Sequence, residues 1–517
     1  MAGGNRSARF ARNAVANWLV FAFIAAVSFF LSPFIVNHLG AQKFGIWTLL
    51  GGLVGYLGLL DFSIRTAVNR YVAKDESIGA HEECSSTVSA ATRLILVLSV
   101  LAVVLAGVFS LVVPYFFNIP EELVPQTRLI IVVAGLAVAA SLIAGVFGGV
   151  ITGLERFDIS ACIEIFVTFI RSAGFIWALL AGYGLTGMAL AQLGSAILNL
   201  LLSMIVARKL YPQLHIRLRG SFMPQIRKII AFSMTMTLVY VLSQFIYYSD
   251  SLVIAAMLPI EQVTFYAIAG NLCLQVRGVA ASLSYLMTPR VSALTSMGSS
   301  KVGQEIVMVS GFATLVAAPI ALTFAVRGES FITLWMGPQY GPISGAVLQV
   351  LAVVVWLEAS RSVVMHSFIG KGRQRTLLPG IAAEAVSNVL LSILLVAPLG
   401  VIGVAYGTLI PFIFISLWYF PSRLSREMSV SMKAYYRDAI MMPTIACLPF
   451  AVLCWVIEKR WPAANLPVFF GQVLLSLPLV PVAWWFVCNS PAERQRLRAG
   501  LSRKLAAATG REGLEED

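Results

Sequence analysis

Five acids and five bases sit inside or at the edges of stretches that are otherwise apolar, and their spacing decides what they can do. Asp61 and Arg65 are four residues apart, in an apolar run that begins at Gly45. On one continuous helix they share a face and can pair. Glu164 and Arg171 are seven apart and Glu358 and Arg361 three apart, again on common helix faces. Arg277 has no acid near it in sequence, while Asp250 and Glu384 have no base near them. A charge at membrane depth costs on the order of 3 kcal/mol, so each must face a cavity or a partner. Arg65, Arg171, Arg277 and Arg361 can therefore line a positive cavity that grips an anion bidentately. The alternative is three structural salt bridges, Asp61–Arg65, Glu164–Arg171 and Glu358–Arg361. Asp61, Asp250, Glu384, Glu164 and Glu358 are candidates for exchanging a proton or Na+ in an antiport cycle. Arg70 lies well round the helix from Arg65 and reads as a snorkelling residue at the inner surface.

A second pattern is neutral. Tyr240, Gln244, Tyr247 and Ser251 fall at i, i+4, i+7 and i+11, a polar stripe on an apolar helix. Aromatic and amide groups suit sugar ring faces and hydroxyls, which makes the stripe a candidate glycan contact. Filling a helix interface is the competing use.

The elements that position these residues follow from composition. The chain has 517 residues, 59% hydrophobic and only 12% charged, with mean hydropathy +0.85. That is a polytopic membrane protein rather than a soluble domain. The net charge of +13 does not point to nucleic acid, because the basic residues sit in short clusters between apolar runs. The N-terminal apolar run extends to about Val36, too long for a cleaved signal peptide, and reads as a first span. Cys84, Cys162, Cys273, Cys447, Cys454 and Cys488 show no CxxC spacing, and the four histidines form no metal motif. No metal site and no cofactor are expected. No GxxxxGK[ST] occurs, so ATP hydrolysis by this chain is not expected.

A membrane-spanning helix needs about 20 apolar residues. Such runs occur near 13–37, 45–72, 90–117, 128–152, 159–181, 185–207, 229–257, 264–290, 304–327, 343–369, 376–398, 401–422, 439–457 and 467–488. The expected fold is all-α, with about 14 transmembrane helices. Its organisation reads as an N-terminus (1–12), an N-lobe of spans 1–6 (13–207) and a basic linker (208–228). A C-lobe of spans 7–12 (229–422), a loop (423–438), spans 13–14 (439–488) and a tail (489–517) follow. Lys and Arg concentrate in alternate loops, notably at Arg208, Lys209, Arg217, Lys371, Arg373, Arg423 and Arg426, which puts both termini in the cytoplasm. The other side holds little beyond Lys43, Arg128, Arg327, Lys459 and Arg460. The tail starts basic and ends acidic, and reads as a solubilising, topology-fixing segment or a short helix on anionic headgroups.

Two stretches about 220 residues apart read alike. HLGAQKFGIW from His38 matches MLPIEQVTFY from Met257, VNRYV with Arg70 matches TPRVS with Arg290, and GLTGMALAQ from Gly184 matches GVIGVAYGT from Gly400. Six spans per repeat is even, so the halves are parallel repeats, an arrangement that places substrate between two lobes. Spans 13 and 14 lie outside the duplication.

The combination of NWLVFAF, LGAQKFGIWTLLGGLVGYLGLLDFSIRTAVNRYVA, GLERFD and the GLTGMALA/GVIGVAYGT pair resembles the polysaccharide transporter (Wzx-like O-antigen flippase) branch of the multidrug/oligosaccharidyl-lipid/polysaccharide (MOP) exporter superfamily. The resemblance implies two six-helix lobes around a central cavity, plus two extra C-terminal helices. It implies a flippase that turns a polyprenyl-pyrophosphate-linked oligosaccharide from the cytoplasmic to the outer leaflet of the bacterial inner membrane, for O-antigen, capsule or exopolysaccharide synthesis. Its partners would be that lipid-linked substrate, membrane lipids and other polysaccharide-assembly proteins, and it would not be an enzyme. Related lipid II flippases hold pyrophosphate with arginines on spans 1, 2 and 8, and Arg65 and Arg277 match two of these places. Span 1 carries no arginine beyond Arg12 at its mouth. A drug or cation efflux antiporter of the same superfamily would favour a cavity of acids and aromatics, whereas bases here match or outnumber acids. A membrane glycosyltransferase or polymerase would need a large loop with paired carboxylates, and no loop carries one.

Overall fold

The computed structural model describes residues 2–61, 64–217, 223–299 and 301–488, with side chains outside residues 2–18, 228, 231–236 and 279–283. The tail 489–517, the centre of the basic linker and the Arg12 side chain lie outside what is described. Of the described residues 90% are helical, and none lies in a strand.

In chain order the helices are α1 (Ala2–Gly58), α2 (Ile64–Ser77), α3 (His81–Phe116), α4 (Val124–Gly153), α5 (Phe157–Leu180) and α6 (Gly184–Leu210). Then come α7 (Met223–Met257), α8 (Glu261–Tyr285), α9 (Met287–Ser296), α10 (Val302–Met336), α11 (Gly341–Gly370) and α12 (Leu378–Phe414). The last are α13 (Phe420–Met428), α14 (Met432–Ala434), α15 (Met442–Arg460), α16 (Leu466–Ser476) and α17 (Leu479–Val487). π-helical turns at Ile415–Tyr419 and Tyr435–Met441 flank α13 and α14.

Eleven helical stretches are long and apolar enough to cross a membrane. Two of them, of 59 and 55 residues, are double. α1 breaks at Gly40 (φ 75°, ψ 164°) and α12 at Gly400 (φ 59°, ψ −141°), each separating two membrane-length halves. With α8, 25 residues long, this makes the fourteen spans expected from the apolar runs. Trp177, Leu180, Trp418 and Leu475 are more than 60% exposed, as lipid-facing side chains are. The chain is a multi-pass membrane protein.

The helices divide into two compact units. One comprises Met1–Ala267 with Ala385–Thr408, the other Ile268–Glu384 with Leu409–Asp517. In the first unit α4 is central, touching α2, α3 and α6. Its approach to α2 depends on missing side chains. A Cβ on Gly149 would stand 2.9 Å from the Arg65 carbonyl oxygen, and one on Gly153 2.8 Å from Val72 Cβ and 2.9 Å from the Asn69 carbonyl oxygen. This is the small-xxx-small contact by which membrane helices gain dispersion where no hydrophobic drive exists. The same device closes the hairpin inside α12, where a Cβ on Gly407 would lie 2.6 Å from the Ser392 amide nitrogen. Gly184 and Gly400, which the duplication equates, both have positive φ, 54° and 59°, a conformation that costs an L-residue about 1 kcal/mol.

In the second unit α10 packs along α11 and α15. Ala318, Cys447, Phe450, Cys454 and Val480 form a closed apolar cluster there, and all six cysteines of the chain are free thiols. Arg327, expected in an outer loop after span 9, is instead inside α10, which continues to Met336 with a local kink at Arg327 (φ −122°, ψ 16°). It is 1% exposed. Its Nε donates to Glu458 Oε2 at 2.5 Å, its Nη2 to Gln472 Oε1 at 2.8 Å, and its guanidinium lies 4.4 Å from the Phe469 ring centre. One buried arginine thus ties α15 and α16, the spans outside the duplication, to α10.

Candidate functional site

Arg65 opens the first turns of α2, and the glycine face of α4 decides where its head group goes. Asn69 Nδ2 donates to Thr152 Oγ1 at 3.0 Å, and Thr152 Oγ1 donates to the Gly148 carbonyl at 2.9 Å, fixing the register of the two helices. The guanidinium then lies over Gly148, 3.6 Å from the point where a Cβ would stand. It faces a cavity of ≈ 320 Å³ whose walls include Val20, Arg65, Asn69, Thr152, Ser160 and Glu164. Both Arg65 and Glu164 are exposed to that space.

The expected Asp61–Arg65 pair is not formed. Asp61 ends the 3-10 turn Leu59–Asp61 and Arg65 lies in the first turn of α2; both stand against α4, near Gly145 and Gly148, yet they are not within the 4.0 Å of an ion pair. Asp61 accepts the backbone N–H of Arg65 instead. Glu164 and Arg171 share α5 but are not within the 4.0 Å of an ion pair. Among the described residues, neither Arg65 nor Arg171 is held by a carboxylate.

Asp250, on α7, is 3% exposed and is the centre of a hydrogen-bonded cluster in the first unit. Its Oδ2 accepts from Tyr266 Oη of α8 and from Thr408 Oγ1 of α12, the latter at 2.8 Å. Thr408 Oγ1 accepts from Asn388 Nδ2 at 2.8 Å and also donates to the Val404 carbonyl at 3.3 Å. Asn388 Oδ1 accepts from Ser249 Oγ at 3.0 Å, and Ser392 Oγ donates to the Val404 carbonyl at 3.5 Å. Asn388 and Ser392 are fully buried. One carboxylate with amide, hydroxyl and carbonyl oxygens is a donor set for a hard monovalent cation; it carries too little charge and no nitrogen or sulfur for zinc. Among the described residues, no three His, Cys, Asp or Glu side chains gather as a metal site.

In the second unit, Arg277, Glu358, Arg361 and Glu384 come together. Arg361 does not pair with Glu358, three residues away on α11. It forms an ion pair with Glu384 of α12: Nη1 donates to Oε1 at 2.9 Å, Nη2 stands 2.8 Å from Oε2, and Nη1 also reaches Ser416 Oγ at 3.4 Å. The guanidinium is sandwiched, 4.6 Å from the Phe412 ring centre and 4.8 Å from that of Phe420. Arg277 lies on the same Phe412 ring at 5.8 Å. Ser416 belongs to the π-helical turn, a local widening of the helix that re-aims side chains and recurs at functional sites. Arg290, equated with Arg70 by the duplication, is exposed on α9 and grips Glu305 at 2.6 and 2.7 Å. That carboxylate raises its pKa further.

The stripe on α7 is partly open, with Tyr240 exposed and Gln244, Tyr247 and Ser251 half-buried. Its neighbour Tyr248 faces α1 across Gly52 and Gly55 and meets Tyr56 edge-on at 5.6 Å. A search for charges in apolar runs finds Asp250 but not Asn388, Ser392, Thr408 or Tyr266. The available signal was neutral: Asn388 and Ser392 are i, i+4 on one of the most apolar helices, and Thr408 ends the repeated GVIGVAYGT.

Comparison with known proteins agrees with this architecture. The chain is 22% identical to the uncharacterized membrane protein EpsK of Bacillus subtilis over 91% of its own length and 95% of that protein's. It is 20% identical to a putative O-antigen transporter of Shigella flexneri, covering 76% of this chain and 93% of that one. Among solved structures, the lipid II flippase MurJ in an inward closed conformation superposes with TM-score 0.70 and 15% identity over 90% of this chain and 98% of MurJ. An inward-facing MATE-family multidrug resistance transporter of the MOP superfamily gives TM-score 0.66 and 14% identity, covering 82% of this chain and 99% of that one. The fold is therefore that of the MOP transporters. The model of the polysaccharide biosynthesis protein family matches residues 10–294, more than half of the chain, and the protein belongs to that family.

Proposed function

We propose that this protein is a cation-coupled flippase. Its substrate would be a polyprenyl-pyrophosphate-linked oligosaccharide, moved from the cytoplasmic to the outer leaflet of the bacterial inner membrane for surface polysaccharide assembly. The family, and fold neighbours that are flippases and transporters, support a transport role. The observation that carries the substrate class is Arg65. Its guanidinium is presented to a cavity over a glycine, with Asn69 and Thr152 beside it and, among the described residues, no carboxylate in ion-pair reach. A bidentate donor left open in a low-dielectric setting is suited to a phosphate anion. Arg171 is the second such base in the first unit; Arg277 is a ligand candidate in the second, and Arg361 there is already engaged by Glu384.

The coupling ion is assigned to the Asp250 cluster, whose five kinds of oxygen suit Na+ better than a proton alone. Asp61, Glu164, Glu358 and Glu384 are weaker candidates. Asp61 serves a backbone N–H, Glu384 serves Arg361, and Glu164 and Glu358 have no comparable oxygen shell among the described residues. The stripe Tyr240, Gln244, Tyr247 and Ser251 remains the proposed glycan contact.

The test is translocation of lipid-linked oligosaccharide in a flippase-null strain, comparing wild type with Arg65→Ala, Arg65→Lys and Arg277→Ala at equal membrane levels. The alanine variants should leave substrate on the cytoplasmic face, and Arg65→Lys should recover only part, since a point charge replaces a fork. Normal flipping by Arg65→Ala would remove the anion-binding mechanism. Efflux of small cations by the wild type, without flipping, would favour the antiporter.

A further inference from the structure

The duplication brings two equivalent turns face to face. The segment from His38 to Trp47 aligns with that from Met257 to Tyr266, so Ala41 corresponds to Ile260 and Gly45 to Thr264. In the folded first unit these four residues contact each other reciprocally. Thr264 Oγ1 donates to the Ala41 carbonyl at 2.5 Å. In the mirrored contact Gly45 lies against the Ile260 carbonyl so closely that no Cβ fits, and a Cβ there would also stand 3.3 Å from Thr264 Oγ1. Thr264 is fully buried.

The symmetry ends two residues later, and that difference is the informative one. Trp47 faces Phe175 edge-on, 5.6 Å between ring centres, an apolar contact. Its counterpart Tyr266 donates to Asp250 Oδ2. Thr264 and Tyr266 lie on a single turn of α8, one holding the carbonyl just past the Gly40 break in α1, the other holding the carboxylate of the oxygen cluster. We infer that this turn is a relay, with Thr264 and Tyr266 as positioning residues through which occupancy of the Asp250 cluster is transmitted to the second half of α1.

The physical sequence is short. A cation entering the cluster draws electron density from Asp250 and turns the Thr408 and Ser392 hydroxyl hydrogens outward, since an oxygen that coordinates a cation cannot also donate toward it. Tyr266 is the donor to Asp250 that belongs to α8, so a shift of the carboxylate is felt there. The first turn of α8 is rigid, and Thr264 passes the displacement to Ala41. Gly40, with its non-helical backbone, lets the half-helix to Gly58 respond without dragging the preceding half. That half-helix leads into the turn that ends at Asp61, four residues before Arg65. The relay rests on the assignment of Asp250 as the coupling acid and extends it to a route.

The experiment uses full-length protein in lipid nanodiscs, with Gly51→Cys as reporter and the exposed Cys162 replaced by serine. Gly51 is exposed and a side chain there meets nothing within 4 Å. Two quantities are read in NaCl against choline chloride: thermal stabilisation, which reports ion binding, and the maleimide labelling rate at position 51, which reports α1. In the reporter background Na+ should stabilise the protein and change the labelling rate about fivefold or more, a usual size for an allosteric coupling. Thr264→Val should retain the Na+ stabilisation and lose the labelling response, and Thr264→Ser should restore it. Tyr266→Phe should lose the response, whatever happens to Na+ affinity. Asp250→Asn should lose both readouts. A labelling response that survives in Thr264→Val and Tyr266→Phe overturns the relay while leaving the ion site standing. Absence of any Na+ stabilisation in the background removes the ion site, and the relay with it.

Discussion

Removing the Glu384 carboxylate takes the ion-pair partner from a buried cation, and the cost can be worked through from the contacts around it. Arg361 loses a charge-assisted hydrogen bond at 2.9 Å and a second carboxylate oxygen 2.8 Å from its Nη2. Its side chain is 9% exposed and that of Glu384 3%, so water cannot take the carboxylate's place. Breaking a buried pair by deleting one partner costs about 3–5 kcal/mol. Some of this is offset here, because Ser416 remains at 3.4 Å and the Phe412 and Phe420 faces remain at 4.6 and 4.8 Å. A desolvated cation–π contact contributes about 1–2 kcal/mol. Glu384→Ala should therefore destabilise the protein by about 2–3 kcal/mol. The paired change Arg361→Met with Glu384→Leu removes both charges at similar volume and should fall within about 1 kcal/mol of wild type, or above it. The assay is equilibrium unfolding in SDS–detergent mixtures, read as a double-mutant cycle at fixed lipid content. Additive single effects, or a cost under about 1 kcal/mol for Glu384→Ala, would refute the view that the two residues satisfy each other. Flipping by the charge-free double variant then decides whether Arg361 holds substrate or only holds α11 to α12.

Gly153→Val should prevent α2 from seating on α4, because the new side chain meets Val72 Cβ and the Asn69 carbonyl inside 3 Å; a loss of about 1–3 kcal/mol and of folded protein on gel filtration is expected, while Gly51→Ala should leave both unchanged. Arg327→Ala should release α15 and α16 from α10 by stripping Glu458 and Gln472 of their shared donor, seen as faster proteolysis in the segment around Trp461 with the rest of the chain protected. Asp250→Asn should leave single-turnover flipping in proteoliposomes near wild type and slow repeated turnover in Na+ gradients; equal loss in both would make Asp250 a structural residue.

What the apolar runs revealed well is what the bilayer dictates locally. Each span must satisfy its own backbone hydrogen bonds, so it must be a helix of membrane length, and fourteen such runs appear as fourteen spans. The partners of the charges were a different matter. Glu384 lies 23 positions from Arg361, and Glu458 lies 131 from Arg327. Both pairs form across helices, where sequence distance carries no information, and a search restricted to i+3, i+4 and i+7 neighbours proposes Glu358 instead. Asp61 and Arg65 fail for the opposite reason. Their spacing allows a pair, yet Asp61 takes the Arg65 backbone N–H and leaves the guanidinium over Gly148. Arg327 was placed in a loop because a charge ended the apolar run, yet the helix continues past it with that charge buried. The oxygen cluster was half visible, since its acid stands out in an apolar stretch but its neutral members do not.

The distribution of polar groups between the two repeats constrains how ion and substrate can share the work. The first repeat carries Arg65 and Arg171 without carboxylate partners among the described residues, whereas in the second Arg361 pairs with Glu384 and Arg327 with Glu458. On the proposed reading, an anion entering from the cytoplasm would meet these two forks in the first repeat. A potential negative inside favours outward movement of that anion by about 2.3 kcal/mol per charge per 100 mV, so cation entry is not needed to drive the loaded step. The same potential also favours the return of a carrier whose arginines have lost their counter-ion, because that positive charge then moves inward. On the proposed assignment, a cation at Asp250, which lies in the second repeat and is linked through Tyr266 and Thr264 to the segment that precedes Arg65, would act on the empty carrier. In that scheme the potential assists both strokes, so the cation's task would be to select the empty carrier for return, and the asymmetry between two duplicated halves, open bases in one and an oxygen cluster in the other, would separate the two tasks.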